Sequence, residues 1–368
     1  MSIVEPKELR RGWTTGACAT AAAKAAYTAL LTGVFPDPVD ITLPKGGTAA
    51  FVLTRHNHMQ DHASATITKD AGDDPDVTHG ALITSTVRLL RKGEGVRFKA
   101  GEGVGTVTLP GLPIPPGDPA INPVPRRMLQ TAIDEVACLH HASGDVEIEV
   151  SIAGGAALAL KTMNPRLGIV GGLSVLGTTG IVRPFSCASW IASIHRGVDV
   201  ARAIGLTHVA GATGASSEDA IRARYDLEEP AYLDMGDFAG GLLKYLRHHP
   251  IDKLTLAGGF AKLSKLAQGA LDLHSARSSV DFSFLQDLLK DCDAPAAMIS
   301  AAESANTAKE VLDRALEGGL GLGLSTALAR RTKEAVRRIL KDAPVAVEIL
   351  VTDREGKVLG ECGFDDGN

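Results

Sequence analysis

The sequence predicts an α+β domain followed by an α/β domain built on a parallel sheet. Three observations carry that prediction. After one Ala-rich stretch, short alternating apolar and polar runs punctuated by Gly, Pro and Asn fill the first 165 residues, the texture of antiparallel strands. Beyond about residue 185 the order strand, Gly turn, helix occurs twice, which marks parallel βαβ units. At about 150 residues per domain, 368 residues make two cores. The expected division is 1–165 and 166–323, with the change of texture near 165–185. Residues 324–368 form a C-terminal helix and hairpin that can pack back on the first domain.

Taken in order, Thr14 or Thr15 caps a helix over Ala17–Leu31, whose composition strongly favours helix. Strands follow at 39–43, 50–54, 65–68, 81–90, 96–99 and 104–109, the last two joined as a hairpin through Gly101-Glu102-Gly103. After the loop 110–125, apolar residues at Met128, Leu129, Ile133, Val136 and Ala137 share one face of a helix over 126–141. Residues 146–152 and 157–161 read as a hairpin around Gly154-Gly155. The second half gives a helix over 186–204, a strand at 207–210, the turn Gly211–Gly214 and another helix. A helix over 237–249, a strand at 253–257, the turn Gly258-Gly259 and a helix over 261–273 follow. An amphipathic helix over 324–341, a strand at 345–352 and a turn at Arg354–Lys357 complete the chain.

Composition excludes several classes of function. With 45% apolar and 22% charged residues the chain is globular, not disordered. Its 38 basic and 43 acidic residues give a net charge of −5, without the basic field of a nucleic-acid binder. The uncharged apolar run Leu167–Val182 is too short and too Gly-rich for a span of about 20 residues. Glu5 and Glu8 stand where a signal peptide needs an apolar core. Five scattered cysteines without a CxxC pair predict no disulfide framework and a reduced, cytoplasmic setting. A homo-oligomer stays open.

Four stretches carry the chemistry. Lys69-Asp-Ala-Gly-Asp-Asp-Pro-Asp-Val-Thr-His79 sets Asp70, Asp73, Asp74, Asp76 and His79 in one broken loop. Those groups suit general-base chemistry, a hard cation, or a clamp on an amino group, although the spacing of an EF-hand is absent. The glycines at 93, 95, 101, 103 and 105 are best explained as turns with positive φ. Lys161–Gly180 mixes five glycines with hydroxyls and, at its mouth, Lys161 and Arg166, a composition suited to presenting backbone N–H groups to an anionic ligand. Finally, Gly211–Gly214 and Gly258–Lys262 follow strands, and open α/β sheets bind ligands beyond the carboxyl ends of their strands.

These stretches, in this order, resemble the CbiD family, the cobalt-precorrin-5B C(1)-methyltransferases of cobalamin biosynthesis. The similar residues are 12–20 (GWTTGACAT), 69–80, 101–108, 120–126 (AINPVPR), 161–172 (KTMNPRLGIVGG) and 176–182 (LGTTGIV). Where the family usually has Gly-Asn-x-Gly, this chain has Gly211-Ala-Thr-Gly214; where Gly-His-x-Gly-Lys is usual, it has Gly258-Gly-Phe-Ala-Lys262. The backbone and Lys262 remain available there. The resemblance implies a two-domain CbiD-like fold and methyl transfer from S-adenosylmethionine to C-1 of a cobalt-bearing tetrapyrrole. The acidic cluster would serve as base or hold the donor. The donor crevice would be Gly168, Gly171, Gly172, Gly177, Thr178, Thr179 and Gly180. The substrate's acid groups would meet Arg126, Arg127, Lys161, Asn164, Arg166, Arg183 and Lys262. Cobalt enters with the substrate, so no metal site on the protein is expected. The rival expectations are an NAD(P)-dependent reductase, for which the βα turns lack the GxGxxG fingerprint, and a tetrapyrrole carrier without donor affinity.

Overall fold

The computed structural model describes residues 9–364; Glu5 and Glu8 lie outside them. The chain divides into two units, Met1–Cys187 and Ala188–Asn368.

The first unit begins with β1 (Gly12–Trp13) and α1 (Thr15–Thr32). The Thr14 hydroxyl accepts the Ala17 N–H at 3.2 Å, and Gly33 closes the helix at φ +77°. Alanines on every side of α1 are buried, because small side chains let this helix lie close to the sheet it covers. There follow β2 (Val39–Thr42), β3 (Thr48–Phe51), β4 (Arg55–His58), β5 (His62–Thr68), β6 (Leu82–Leu89), β7 (Val96–Ala100) and β8 (Thr106–Val107). The helix α2 (Pro123–His140), β9 (Val146–Ile152), α3 (Gly155–Ala159), β10 (Ile169–Val170) and β11 (Ile181–Val182) complete the unit. The main sheet runs β4-β5-β6-β9-β7, and β2 and β3 form a separate pair.

Two expected hairpins are not formed. β9 already has β6 on one edge and β7, parallel to it, on the other, so no edge remains for a strand at 157–161. The Ala-rich sequence there forms α3 instead. β7, an edge strand, does not turn back on β8 either; after the Gly101–Gly103 turn β8 pairs with β10.

The second unit contains α4 (Cys187–Ala203, entering from the first unit's last residue), β12 (His208–Ala212), α5 (Ala215–Arg224), β13 (Tyr232–Leu233), α6 (Ala239–Leu246), β14 (Lys253–Gly259) and α7 (Phe260–Ala267). Next come α8 (Phe282–Lys290), α9 (Ala296–Glu303), α10 (Ala308–Glu317), α11 (Gly321–Leu340), β15 (Ala346–Thr352) and β16 (Val358–Cys362). The sheet order is β13-β12-β14-β15-β16, parallel except for the last pair. Ile221 of α5 joins a small core with Ala210, Ala257 and Leu350 on one face. On the other face Val209, Leu254, Leu256, Val347 and Ile349 build the main core with residues of the remaining helices. β15 of the stretch 324–368 belongs to the second unit's own sheet, pairing with β14 over its whole length. The division also falls later than 165, because 169–182 is paired within the first unit through β8 and β1.

Candidate active site

Backbone pairing draws three of the sequence motifs together in the first unit. Trp13 donates to the Asp70 carbonyl at 2.7 Å, Thr14 to Gly180 O at 3.0 Å, and Gly16 to Leu176 O at 2.8 Å. The Thr15 hydroxyl both donates to Leu176 O and accepts its N–H. The acidic loop, the start of α1 and the end of the Gly-rich run thus share one locality, which no local signal in the sequence announces.

Within the acidic loop the five candidate groups are not equivalent. Asp70 receives both guanidinium nitrogens of Arg10, at 2.5 and 2.9 Å, and the Gly72 N–H. Arg10 and that N–H hold its carboxyl down at about 2, far too low for a base near neutrality. Asp76 accepts from Lys69 Nζ at 2.5 Å and from both donors of Thr78. Burial pushes its carboxyl up, but the Lys69 ammonium and Thr78 outweigh that and leave it lowered. Lys69 is itself only 1% exposed, so the pair fixes the loop from beneath and Asp76 is a structural carboxylate. Asp73 accepts the Arg10 N–H at 2.7 Å. Asp74 accepts the Phe185 N–H with one oxygen at 2.8 Å. The Nδ1 atom of His79 accepts the Ala71 N–H at 3.1 Å, so its neutral ring carries the proton on Nε2 and presents it outward.

Arg10 and Lys69, absent from the expected site, are therefore what organises it. A basic residue just ahead of the first motif, and one opening the acidic run, were the available signals. Cys18, inside the first motif, is fully buried, which pushes its thiol up to about 12; it is a packing residue, not a nucleophile.

The expected donor crevice has a different explanation at most of its positions. A Cβ on Gly172 would lie 2.2 Å from Gly103 O, on Gly177 2.2 Å from the Thr14 hydroxyl, on Gly168 2.4 Å from Leu109, and on Gly180 2.7 Å from Leu43. These glycines admit the chain's own atoms, so their abundance no longer argues for a ligand. Gly171, at φ +87°, has open space. The Thr179 hydroxyl is used by the Ile181 backbone, whereas Thr178 is exposed.

The expected substrate residues also separate. Arg126 donates to Ile121 O and Pro119 O and pairs with Asp118 at 3.0 Å, so it closes the loop before α2. Asn164 is buried and ties Gly172 O to Ser174, closing the turn after α3. Arg127, Lys161 and Arg183 are exposed and Arg166 is half-buried. Lys262 belongs to the second unit.

There the turns after β12 and β14 lie at the point where the strand order reverses, since β13 and β14 flank β12 on opposite sides. Lys262 donates to Thr213 O at 2.7 Å and stands 3.0 Å from Asp237 Oδ1. That oxygen is buried and accepts no hydrogen bond among the described residues, so the ion pair is out of hydrogen-bond line.

Fold and site define a protein of two α/β units, one with a polar cluster at the start of a buried helix, the other with an open parallel sheet whose strand order reverses at a glycine-lined edge. Residues 2–184 match the family described as CbiD, and residues 272–363 match CbiD, C-terminal domain. The chain is 62% identical over 355 residues to cobalt-precorrin-5B C(1)-methyltransferase of Brucella anthropi, covering 96% of each. It is 58% identical to the protein of that name from Brucella abortus, again over 96% of each. A crystal structure of the cobalamin biosynthesis protein (cbiD) from Archaeoglobus fulgidus shares 26% identity, with a TM-score of 0.40, over 73% of this chain and 83% of that one. The chain belongs to the CbiD family. Among the described residues no helix is long and apolar enough to cross a membrane.

Proposed function

We propose that this chain methylates C-1 of cobalt-precorrin-5B with S-adenosylmethionine, giving cobalt-precorrin-6A in the anaerobic-type route to cobalamin. The observation that carries the reading is a relative of that name, 62% identical over 96% of the chain; the convergence of three sequence motifs around the acidic loop supports it.

The donor supplies an electrophilic methyl on a positively charged sulfur. C-1 provides the electron pair of the new bond, the sulfur keeps the pair of the broken one, and the ring sheds a proton. Asp74 is the group to receive it, because Asp70 and Asp76 are held by cations and Asp73 lies beside the Arg10 guanidinium, while Asp74 is tied through one oxygen to a backbone N–H. His79 Nε2–H donates to a substrate oxygen. Exposed Arg127, Lys161 and Arg183 meet the peripheral carboxylates, which remain solvated enough for such pairs to orient the ring more than to bind it tightly. The residues' remaining task is alignment and the exclusion of water.

Purified protein given both reactants without oxygen is expected to add one methyl to the macrocycle and release S-adenosylhomocysteine in equal amount. An unchanged macrocycle mass rejects the reading.

A further inference from the structure

The geometry points to a site for the methyl donor at the carboxyl edge of the second unit's sheet, formed by Thr213, Gly214, Asp237, Gly259 and Lys262. The inference rests on the methyltransferase reading and says where in the chain the donor is held.

The first observation is negative space. Most glycines of this chain are explained by a positive φ or by a neighbour that a Cβ would strike. Only Gly214, Gly259, Gly323 and Gly363 have neither reason among the described residues. Two of these four sit in the two turns that flank the reversal of strand order. Gly214 is extended, at φ 172°, and Gly259 has φ −67° and ψ 151°, conformations open to any residue. Among the described residues nothing lies within 4 Å of the positions their missing side chains leave, in contrast to Gly168, Gly172, Gly177 and Gly180.

The second observation is Asp237 Oδ1, a buried atom whose partner, the Lys262 ammonium at 3.0 Å, stands out of hydrogen-bond line. A carboxylate oxygen so placed is paired in charge but keeps its acceptor capacity, and a ligand that donates to it uses that capacity. The third is the fit of charge. Lys262 uses one N–H on Thr213 O, and α5 and α7, which start at these turns, have no side-chain cap, leaving first-turn N–H groups to be satisfied from outside. S-adenosylmethionine matches the set: its ammonium or ribose hydroxyls donate to Asp237, and its carboxylate accepts from Lys262 and the turn N–H groups.

The test uses S-adenosylhomocysteine, which binds without turnover, in calorimetric titration of the full chain. Wild-type protein is expected to bind. Gly259→Val, which fills the open space in a backbone conformation valine adopts freely, and Asp237→Asn, which keeps the volume, are each expected to weaken binding roughly tenfold or more. Thr178→Val, in the Gly-rich run of the first unit, is expected to leave it unchanged. Circular dichroism checks folding, and Asp237→Asn decides the matter if Gly259→Val does not fold. Tight binding by Asp237→Asn and by folded Gly259→Val overturns this placement but leaves the methyltransferase reading standing, as does weakening by Thr178→Val alone. Absence of binding by the wild-type protein overturns both.

Discussion

Asp70 and Asp74 stand four positions apart in one loop and differ in their partners. Asp70 is held at about 2 by Arg10 and the Gly72 N–H, below the ordinary carboxylate value of about 3.9. A carboxylate lowered on folding contributes stability that is present above pH 4 and lost as pH falls toward 2. Both side chains of the pair are about half exposed (58% and 45%), so solvent screens the contribution to less than about 1 kcal/mol. Thermal melts of Asp70→Asn are expected to run slightly below wild type above pH 4 and to merge with it near pH 2; a constant gap across that range removes the assignment. Asp74→Asn keeps an oxygen for the Phe185 N–H and deletes only the charge. Its expected effect is a loss of kcat on the order of 10²-fold with an unchanged melting temperature, and normal turnover by the folded variant excludes Asp74 as the base. The acidic run was legible in the sequence as a candidate site, but the different partners of its carboxylates were not. Arg10 reaches Asp70 across 60 positions, and such pairing leaves no local trace.

At the scale of elements, composition found α1 and periodicity α2, α11 and most strands, and both failed where topology overrides them. β4 is Arg-His-Asn-His, exposed at every position, so an edge strand of this kind shows no alternation. The run at 157–161 became α3 because β9 was flanked on both sides. The helices between 282 and 317 were legible and are missing from the expected elements: Leu285, Leu288 and Leu289 in α8, and Val311, Leu312 and Ala315 in α10, keep the spacing of one buried face. In the Gly-rich run a composition suited to ligands coincides with glycines that also serve chain packing. Two adjacent glycines separate the explanations. An Ala at 172 meets the Gly103 backbone, which has no flexible end to move, whereas an Ala at 171 enters open space and bears only the left-handed backbone. Gly172→Ala is expected to cost about 2–3 kcal/mol, and Gly171→Ala about 1 kcal/mol. Melting temperatures in that order support close packing; equal losses contradict it.

For the whole molecule, the position of β15 decides what a viable fragment is. The texture of the sequence makes 324–368 an appendage, yet β15 lies between β14 and β16 and α11 covers the same core. Val347, Ile349, Val351, Leu324, Leu328, Val336 and Leu340 are all within 2% of complete burial. Each contributes roughly 1.5–3 kcal/mol of burial, so their joint loss rivals or exceeds the about 5–15 kcal/mol by which an entire domain is stable. A chain ending at residue 323 is therefore expected to lose the second unit altogether, not merely to shorten it. It should show the ellipticity and single melting transition of the first unit, with 188–323 open to rapid proteolysis. The complementary fragment 188–368 keeps a complete sheet and its own core, and is expected to melt cooperatively by itself. It also keeps Thr213, Gly214, Asp237, Gly259 and Lys262, so it should bind S-adenosylhomocysteine while lacking the acidic loop proposed to take the proton. Protease resistance of 188–323 in the shortened chain would show that β15 and α11 are dispensable, and would restore the boundary the sequence texture predicts.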